Sequence, residues 1–205
     1  MMRFSVVLLT LLLAALPLRA ETITLLALGD SLTAGLGLDP AQAFPAKLQA
    51  ALKANGHDVV VMNAGVSGDT ASQGAARLDW ALTDDVDGVL VELGVNDALR
   101  GLPTEQAEQA LDEILTKLKQ RSLPALLLGM KAPPNLGPDY VTKFDAIYPK
   151  LGTKYDVPLY AFFLDGVAAN AKFNQSDGMH PNAQGVDEIV KRILPSVETL
   201  LTRLK

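Results

Sequence analysis

The feature that most constrains the fold is a regular alternation of short apolar runs with longer segments of helical periodicity. Five apolar runs have the length of buried strands. They are Ile23–Leu28, Val59–Met62, Val86–Leu93, Ala125–Met130 and Pro158–Leu164. Between these runs, and after the last, apolar residues recur every three or four positions, as on the buried face of a helix. This alternation predicts an α/β fold in which helices cover both faces of a mostly parallel sheet.

Proline and glycine residues mark where several helices are expected to begin or end. Pro103 and Thr104 open the clearest amphipathic segment. A single helix is predicted from Tyr140 to Leu151, ended by Gly152. Pro195 falls inside the last helical pattern, where it is expected to kink the helix or split it.

Residues 1–20 have the form of a secretory signal peptide. Arg3 gives a positive start, Val6–Leu16 is almost wholly apolar, and Pro17 breaks the run before Ala20. A membrane anchor is the alternative, but spanning a bilayer takes roughly 18 or more apolar residues, and this run is shorter. We therefore expect cleavage near Ala20. The product is one domain over residues 21–205, periplasmic or secreted from a bacterium, without a stable membrane anchor.

Composition narrows the function classes. The chain has 205 residues, which suits one domain with a sizeable core. Its formal net charge is -5, and no cluster of basic residues is present, which argues against a nucleic-acid partner. The absence of cysteine excludes disulfides, thiolate catalysis, cysteine metal sites and lipidation at the cleavage site. A monomer is expected.

Ser31 stands where a ligand site is expected. In parallel α/β sheets, ligands bind outside the carboxyl ends of the strands. The first apolar run ends in the turn Gly29-Asp30-Ser31, so the Ser31 hydroxyl should lie at this rim, with its own amide pointing outward. That is a position for a nucleophile. Serine is also a favoured helix N-cap, and the local sequence leaves both readings open.

A serine nucleophile needs a base, and the chain has only two histidines. His57 precedes the second strand, at the opposite edge of the sheet, and is expected to be a solvated loop residue. His180 lies between the fifth strand and the last helix, at the same edge as Ser31. Asp177, three residues earlier, can reach its imidazole and orient it. Alternatively, Asp177 and His180 only form a turn and a helix cap.

Acyl transfer also requires donors for the oxyanion of the tetrahedral intermediate. Gly68 follows the second strand, and a glycine there lets the backbone amide approach a ligand closely. Asn96 follows the third strand and offers a side-chain amide. With the amide of Ser31 these make three candidate donors. Taken singly, Gly68 can equally be a turn glycine and Asn96 a helix cap.

Together these blocks resemble the SGNH (GDSL) hydrolase superfamily. Gly-Asp-Ser-Leu follows the first strand, Gly68 the second and Gly-x-Asn-Asp the third, and Asp-x-x-His precedes the last helix. The resemblance covers essentially the whole mature chain. It implies a flavodoxin-like α/β/α sandwich with a parallel five-stranded sheet in the order 2-1-3-4-5. It also implies Ser31 as nucleophile, His180 as base and Asp177 as its orienter, with Ser31, Gly68 and Asn96 forming the oxyanion hole.

Within the superfamily the chain is most similar to the periplasmic thioesterase, lysophospholipase and arylesterase type. This resemblance implies a serine esterase that cleaves small acyl esters and thioesters through an acyl-enzyme, with no metal or organic cofactor. The segment 98–102 resembles a lid over the acyl chain, and 130–137 resembles a substrate wall. Both could be ordinary connectors. The expected substrate contacts are Ala98, Leu99, Leu102 and Pro133.

Two alternatives remain. A carbohydrate acetylesterase of the same superfamily would need an aromatic-lined cleft, whereas aromatic residues are 5% of the chain and the single tryptophan, Trp80, is predicted on a helix away from the site. A non-catalytic exported lipid-binding module would have no need to keep Ser31, Asp177 and His180 together. A nucleotide site is disfavoured because Gly-x-Gly-x-x-Gly does not follow the first strand.

Overall fold

The computed structural model describes residues 22–204. The predicted signal peptide, its cleavage position and the start of the predicted domain at residue 21 lie outside the described residues. Within residues 22–204, none of the helices is long and apolar enough to cross a membrane.

The centre of the molecule is a five-stranded sheet in which every neighbouring pair is parallel, in the order β2-β1-β3-β4-β5. This confirms the predicted fold class and strand order. The strands are β1 (Ile23–Gly29), β2 (Val59–Gly65), β3 (Gly88–Glu92), β4 (Ala125–Leu128) and β5 (Leu159–Tyr160). The three inner strands are buried almost throughout, as expected for a sheet covered on both faces.

Eight α-helices of the described chain surround the sheet. They are α1 (Ser31–Ala34), α2 (Phe44–Ala54), α3 (Ala71–Ala81), α4 (Val95–Leu99), α5 (Thr104–Gln120), α6 (Pro138–Asp145), α7 (Ile147–Tyr155) and α8 (Ala183–Leu201). Helices α2 and α8 pack together, and so do α3 with α5 and α5 with α7. These two groups form the outer layers. Because every crossover returns to a parallel strand, the carboxyl ends of all five strands meet at one edge.

The fifth strand is much shorter than the predicted run Pro158–Leu164. After Tyr160 the chain leaves the ladder and forms a series of turns, in which Asp165 and Val167 donate to carbonyls three residues back. The apolar character of this segment serves tertiary packing, because Phe163 is buried edge-on against Phe44, with 5.0 Å between the ring centroids. Burial outside a strand produced the same apolar pattern as a strand.

The predicted single helix over 140–151 is wrong, because two helices, α6 and α7, occupy this region. Pro149 has no N–H to donate to the carbonyl of Asp145, and the helix is interrupted at Ala146, close to that missing bond. Gly152 does not end the second helix, which continues to Tyr155. The terminating residue is Asp156, which has a left-handed backbone conformation.

Pro195 does not split the last helix, since α8 runs unbroken across it. Pro195 and Lys191, whose carbonyl loses its helical donor, are both exposed, so water can hydrate that carbonyl. The opposite face of α8 carries the buried residues that hold it on the sheet, including Ile193 and Val197. Tertiary packing therefore overrides the local preference of proline.

Candidate active site

Ser31 is the first residue of α1 and lies at the carboxyl edge of the sheet, directly behind β1. The helix cap is Asp30, whose Oδ1 accepts a hydrogen bond from the Leu32 amide at 3.0 Å. Capping is therefore performed by Asp30. The side chain of Ser31 remains available for another contact.

That contact is with His180. The Oγ of Ser31 lies 2.9 Å from Nε2 of His180, although the two residues are 149 positions apart in the chain. A backbone hydrogen bond holds the segment carrying His180 in place, since the His180 carbonyl accepts the Gln175 amide at 2.8 Å. Asn182 then caps α8 by accepting the Gly185 amide at 3.0 Å. The imidazole is thus placed by a tight turn that leads into a capped helix.

Asp177 completes a chain of three hydrogen-bonded side chains. Its Oδ2 lies 2.6 Å from Nδ1 of His180, and its Oδ1 accepts the backbone amides of Met179 and His180. These bonds, first of all the one from the His180 side chain, lower the pKa of Asp177 to about 2. A charged carboxylate at neutral pH keeps a proton on Nδ1. Nε2 is then the acceptor for the Ser31 hydroxyl.

The other histidine is remote from this arrangement. His57 lies between α2 and β2, and its Nε2 is 3.4 Å from Glu198 on α8. Trp80 is on α3 with 86% of its surface exposed, and it does not line the cavity beside Ser31. Neither residue reaches the site, as the sequence predicted.

Two backbone amides at the site are free to bind a ligand. Among residues 22–204, neither the Ser31 amide nor the Gly68 amide has a hydrogen-bond acceptor. Gly68 has a φ of +90°, a conformation that favours glycine. Arg100 donates to the Gly68 carbonyl at 2.6 Å, which fixes this peptide from its other side. Each amide therefore has a donor that the described chain does not use.

Asn96 is more constrained than the sequence indicates. Its Nδ2 donates to Asp30 Oδ2 at 3.1 Å and to the Asp69 carbonyl at 3.0 Å. These two bonds hold the amide beside the turn Gly29-Asp30-Ser31, the nucleophile turn. Donation to an oxyanion would require Asn96 to share or exchange one of them.

A polar connection behind the site was missed by the sequence analysis. Arg77 of α3 donates through Nε to Asp69 at 2.6 Å and through Nη2 to the Gly29 carbonyl at 2.8 Å. Gly29 is the first residue of the nucleophile turn, and Asp69 follows Gly68. Arg77 therefore joins the two strand ends that carry Ser31 and Gly68. No sequence motif marks it, because its contacts depend on how α3 is rotated against the sheet.

Two buried carboxyl groups lie at the nucleophile turn, that of Asp30 within it and that of Glu92 beside it. Glu92 Oε2 accepts the Thr33 hydroxyl at 2.6 Å and the Asp30 amide at 3.3 Å, whereas Glu92 Oε1 has no partner in the described chain. Burial raises the pKa of Glu92 well above its usual range, and the nearby Asp30 raises it further. Burial also raises the pKa of Asp30, although donors from Leu32 and Asn96 counteract this. Asp30 is therefore the better placed of the two to hold a negative charge.

Ser31 and His180 open onto a largely apolar cavity of about 440 Å³. This volume lies in the range of small-molecule sites. The walls come from α4, the loop after β4, the turns after β5 and the loop before His180. Apolar side chains of the wall include Val95, Leu99, Met130, Phe162, Leu164 and Met179.

The four expected substrate contacts divide into two pairs. Leu99 and Pro133 line the cavity. Ala98 is fully buried in the core, and Leu102 lines a separate shallow cavity, with its carbonyl bonded to Tyr140. The segment 98–102, expected to be a lid, starts in the last turn of α4, so its successive side chains point in different directions.

The strand order, together with a serine, a histidine and a carboxylate in hydrogen-bond contact at the carboxyl edge, is the arrangement of SGNH hydrolases. Comparison with known families agrees with this class. Residues 27–187 match the GDSL-like Lipase/Acylhydrolase family, and the chain belongs to that family.

Curated relatives cover nearly the whole chain. The chain is 38% identical to Esterase TesA of Pseudomonas aeruginosa over 184 residues, which is 89% of this chain and 92% of the relative. It is 42% identical to Thioesterase 1/protease 1/lysophospholipase L1 of Escherichia coli over 179 residues, 85% of each. Among solved structures, the SGNH-hydrolase family esterase AlinE4 is 46% identical with a TM-score of 0.75, covering 89% of this chain and 98% of its own.

Proposed function

We propose that this protein is an exported serine esterase that hydrolyses acyl esters and thioesters through an acyl-enzyme intermediate. The single observation that carries the proposal is the chain of hydrogen bonds from Ser31 through His180 to Asp177, opening onto an apolar cavity. A hydroxyl bonded to an unprotonated imidazole nitrogen is an activated nucleophile.

The chemical steps follow from these contacts. Ser31 Oγ attacks the acyl carbonyl while its proton passes to His180 Nε2. The imidazolium is stabilised by the Asp177 carboxylate and returns the proton to the departing alcohol or thiol. Water then enters, His180 takes one of its protons, and the hydroxide attacks the acyl-serine. The bond between the acyl carbon and Ser31 Oγ then breaks, His180 returns the proton to Oγ, and the carboxylic acid leaves.

The negative charge that develops on the carbonyl oxygen needs donors that are already in place. The free amides of Ser31 and Gly68 are two such donors, and the Asn96 side chain is the third. Loss of one donor of this kind typically costs ~10²–10³ in turnover. Because the Asn96 amide is bonded to Asp30 and Asp69, its share is expected to be the smallest of the three.

The cavity and the relatives both favour an acyl substrate. The walls are mainly aliphatic, with Leu99 and Pro133 among them, and they suit a hydrocarbon chain better than a sugar. The relatives named above are an esterase and a thioesterase/lysophospholipase, which agrees with an acyl substrate. Export is proposed from residues 1–20 alone, by their signal-peptide form.

The test is hydrolysis of p-nitrophenyl esters of graded chain length, in wild type, Ser31→Ala and the control Ser72→Ala on the exposed surface of α3. We expect kcat/KM to rise from acetyl to medium chains. Ser31→Ala should lose at least about 10³-fold, whereas Ser72→Ala should be unchanged. A profile that peaks at acetyl favours a carbohydrate acetylesterase. Chain binding without turnover in the wild type favours a lipid-binding module.

A further inference from the structure

The cavity beside Ser31 has one fixed charge in its wall, and that charge is positive. Lys131 lines the cavity in the loop after β4. Apart from the catalytic candidate His180, it is the only ionisable side chain among the lining residues, and no carboxylate is among them. This is notable in a chain whose formal net charge is -5.

The ammonium of Lys131 is held at the wall but is not neutralised there. Its Nζ lies 5.2 Å from the ring centroid of Phe162, which also lines the cavity. An aromatic face attracts a cation and leaves its charge and its hydrogen-bond donors in place. Within residues 22–204, no carboxylate oxygen lies within 4.0 Å of Nζ.

Two acidic groups that are hydrogen-bonded to residues lining the cavity already have partners. Asp145 accepts a hydrogen bond at 2.9 Å from the amide of Ala132, the residue that follows Lys131. Asp177 is bonded to His180 and to two backbone amides. Neither carboxylate is paired with the Lys131 ammonium. Lys131 is therefore an exposed cation in the wall of the cavity that also contains Ser31, and no anion of the described chain is paired with it.

We propose that Lys131 is a specificity-determining residue that binds an anionic group on the substrate, a carboxylate, sulfonate or phosphate located away from the ester carbonyl. This inference rests on the esterase function proposed above. The anion can belong to the acyl chain or to the alcohol or thiol that leaves. Both sources present the same chemistry to the ammonium, and the experiment separates them.

Three probes share a six-carbon acyl chain. p-Nitrophenyl hexanoate is neutral, 4-(hexanoyloxy)benzenesulfonate carries its anion on the leaving group, and mono-p-nitrophenyl adipate carries it on the acyl chain. KM and kcat are measured for the wild type, Lys131→Met and Lys131→Arg. The matched control is Lys172→Met, because Lys172 lies at the same 5.2 Å over a ring, that of Phe173, and neither residue lines the cavity.

Lys131→Met should raise KM for at least one anionic probe about two- to fivefold, the range of a solvent-exposed ion pair. KM for the neutral probe should stay unchanged, Lys131→Arg should retain the wild-type preference, and added salt should reduce the difference. A rise confined to the sulfonate assigns the anion to the leaving group. A rise confined to the adipate assigns it to the acyl chain, and a rise for both supports binding without choosing a side.

Equal changes for all three probes, or the same change in Lys172→Met, would overturn the assignment. The melting temperature of each variant shows that it is folded under assay conditions. If the wild type fails to hydrolyse even the neutral hexanoate, the proposed esterase function fails. Hydrolysis of the neutral probe with no charge-dependent effect of Lys131 removes only the inference about the anion.

Discussion

Replacing Arg77 by Met tests whether the connection behind the site holds both strand ends in position. The change removes the ion pair with Asp69 and the bond to the Gly29 carbonyl. The Gly29 carbonyl keeps a second donor, the Val66 amide at 3.0 Å, so it still has a hydrogen bond after the substitution. Within residues 22–204, the carboxylate of Asp69 has no second donor. Its side chain is only 10% exposed, and that of Arg77 18%.

The magnitude follows from this burial. Removing one partner of a fully buried pair costs about 3–5 kcal/mol, because a charge is left without compensation. Since water retains some access to Asp69, we expect the lower end, about 3 kcal/mol of unfolding free energy. Asp69→Asn in the Arg77→Met background removes the uncompensated charge. It should recover about 1 kcal/mol or more of that loss, which is a coupling typical of contacting residues.

Activity should fall for a geometric reason. Arg77 fixes Asp69, the residue after Gly68, so its loss lets the Gly68 amide move relative to Ser31. A displacement of about 1 Å near a reacting centre can cost ~10²-fold in rate. We expect kcat for p-nitrophenyl hexanoate to fall about 10- to 100-fold with KM little changed, because the cavity walls are untouched. Arg77→Lys, which keeps the charge without the planar fork, should be intermediate.

Urea unfolding and steady-state kinetics provide both readouts. The matched control is Arg121→Met, because Arg121 pairs with Asp79 at 2.7 Å with side chains 47% and 54% exposed. This control should change stability by no more than about 1 kcal/mol and leave kcat unaltered. A stability loss below that level in Arg77→Met, or a large loss accompanied by unchanged kcat, would refute the reasoning.

Two further predictions concern buried positions. Burial raises the pKa of Glu92, so the folded protein keeps this proton at a pH where an unfolded glutamate has lost it, and the wild type should lose stability as pH rises above about 4.5. Glu92→Gln lacks this titration, so its free energy of unfolding should rise relative to that of the wild type as pH increases. An equal difference between the two proteins at every pH would contradict this. A methyl group at Gly74 would overlap Leu93, whose side chain is fully buried. Gly74→Ala should therefore lower the free energy of unfolding by about 1 kcal/mol or more despite its better helix propensity, as measured by urea unfolding.

The parts of the fold that the sequence predicts are those fixed by local patterns. Buried parallel strands are continuous apolar runs, and this pattern predicts β1 correctly. The strand order, which the resemblance implies, also agrees with the structure. Asp177 and His180 are three residues apart in a tight turn, and their contact depends on little else. The carboxyl edge of a parallel sheet brings this turn and Ser31 to one place.

The remaining features depend on contacts between distant elements. Pro195 is tolerated because it faces solvent, and Phe163 resembles a strand residue because it packs on Phe44. The contact of Asn96 with Asp30 depends on the rotation of α4 relative to the nucleophile turn, which periodicity does not fix. The same applies to Arg77. Sequence identifies candidate donors, but it cannot tell which of them already have a partner.

The separation of Ser31 and His180 by 149 positions has a consequence for biosynthesis. When the ribosome has completed β4, the inner strands and Ser31 have been synthesised, whereas His180 has not. If Ser31 and His180 act as proposed, such a nascent polypeptide has no esterase activity, however well its early portion has folded. Activity would then require synthesis to pass the turn before α8, and fragments cleaved ahead of that turn would be inactive.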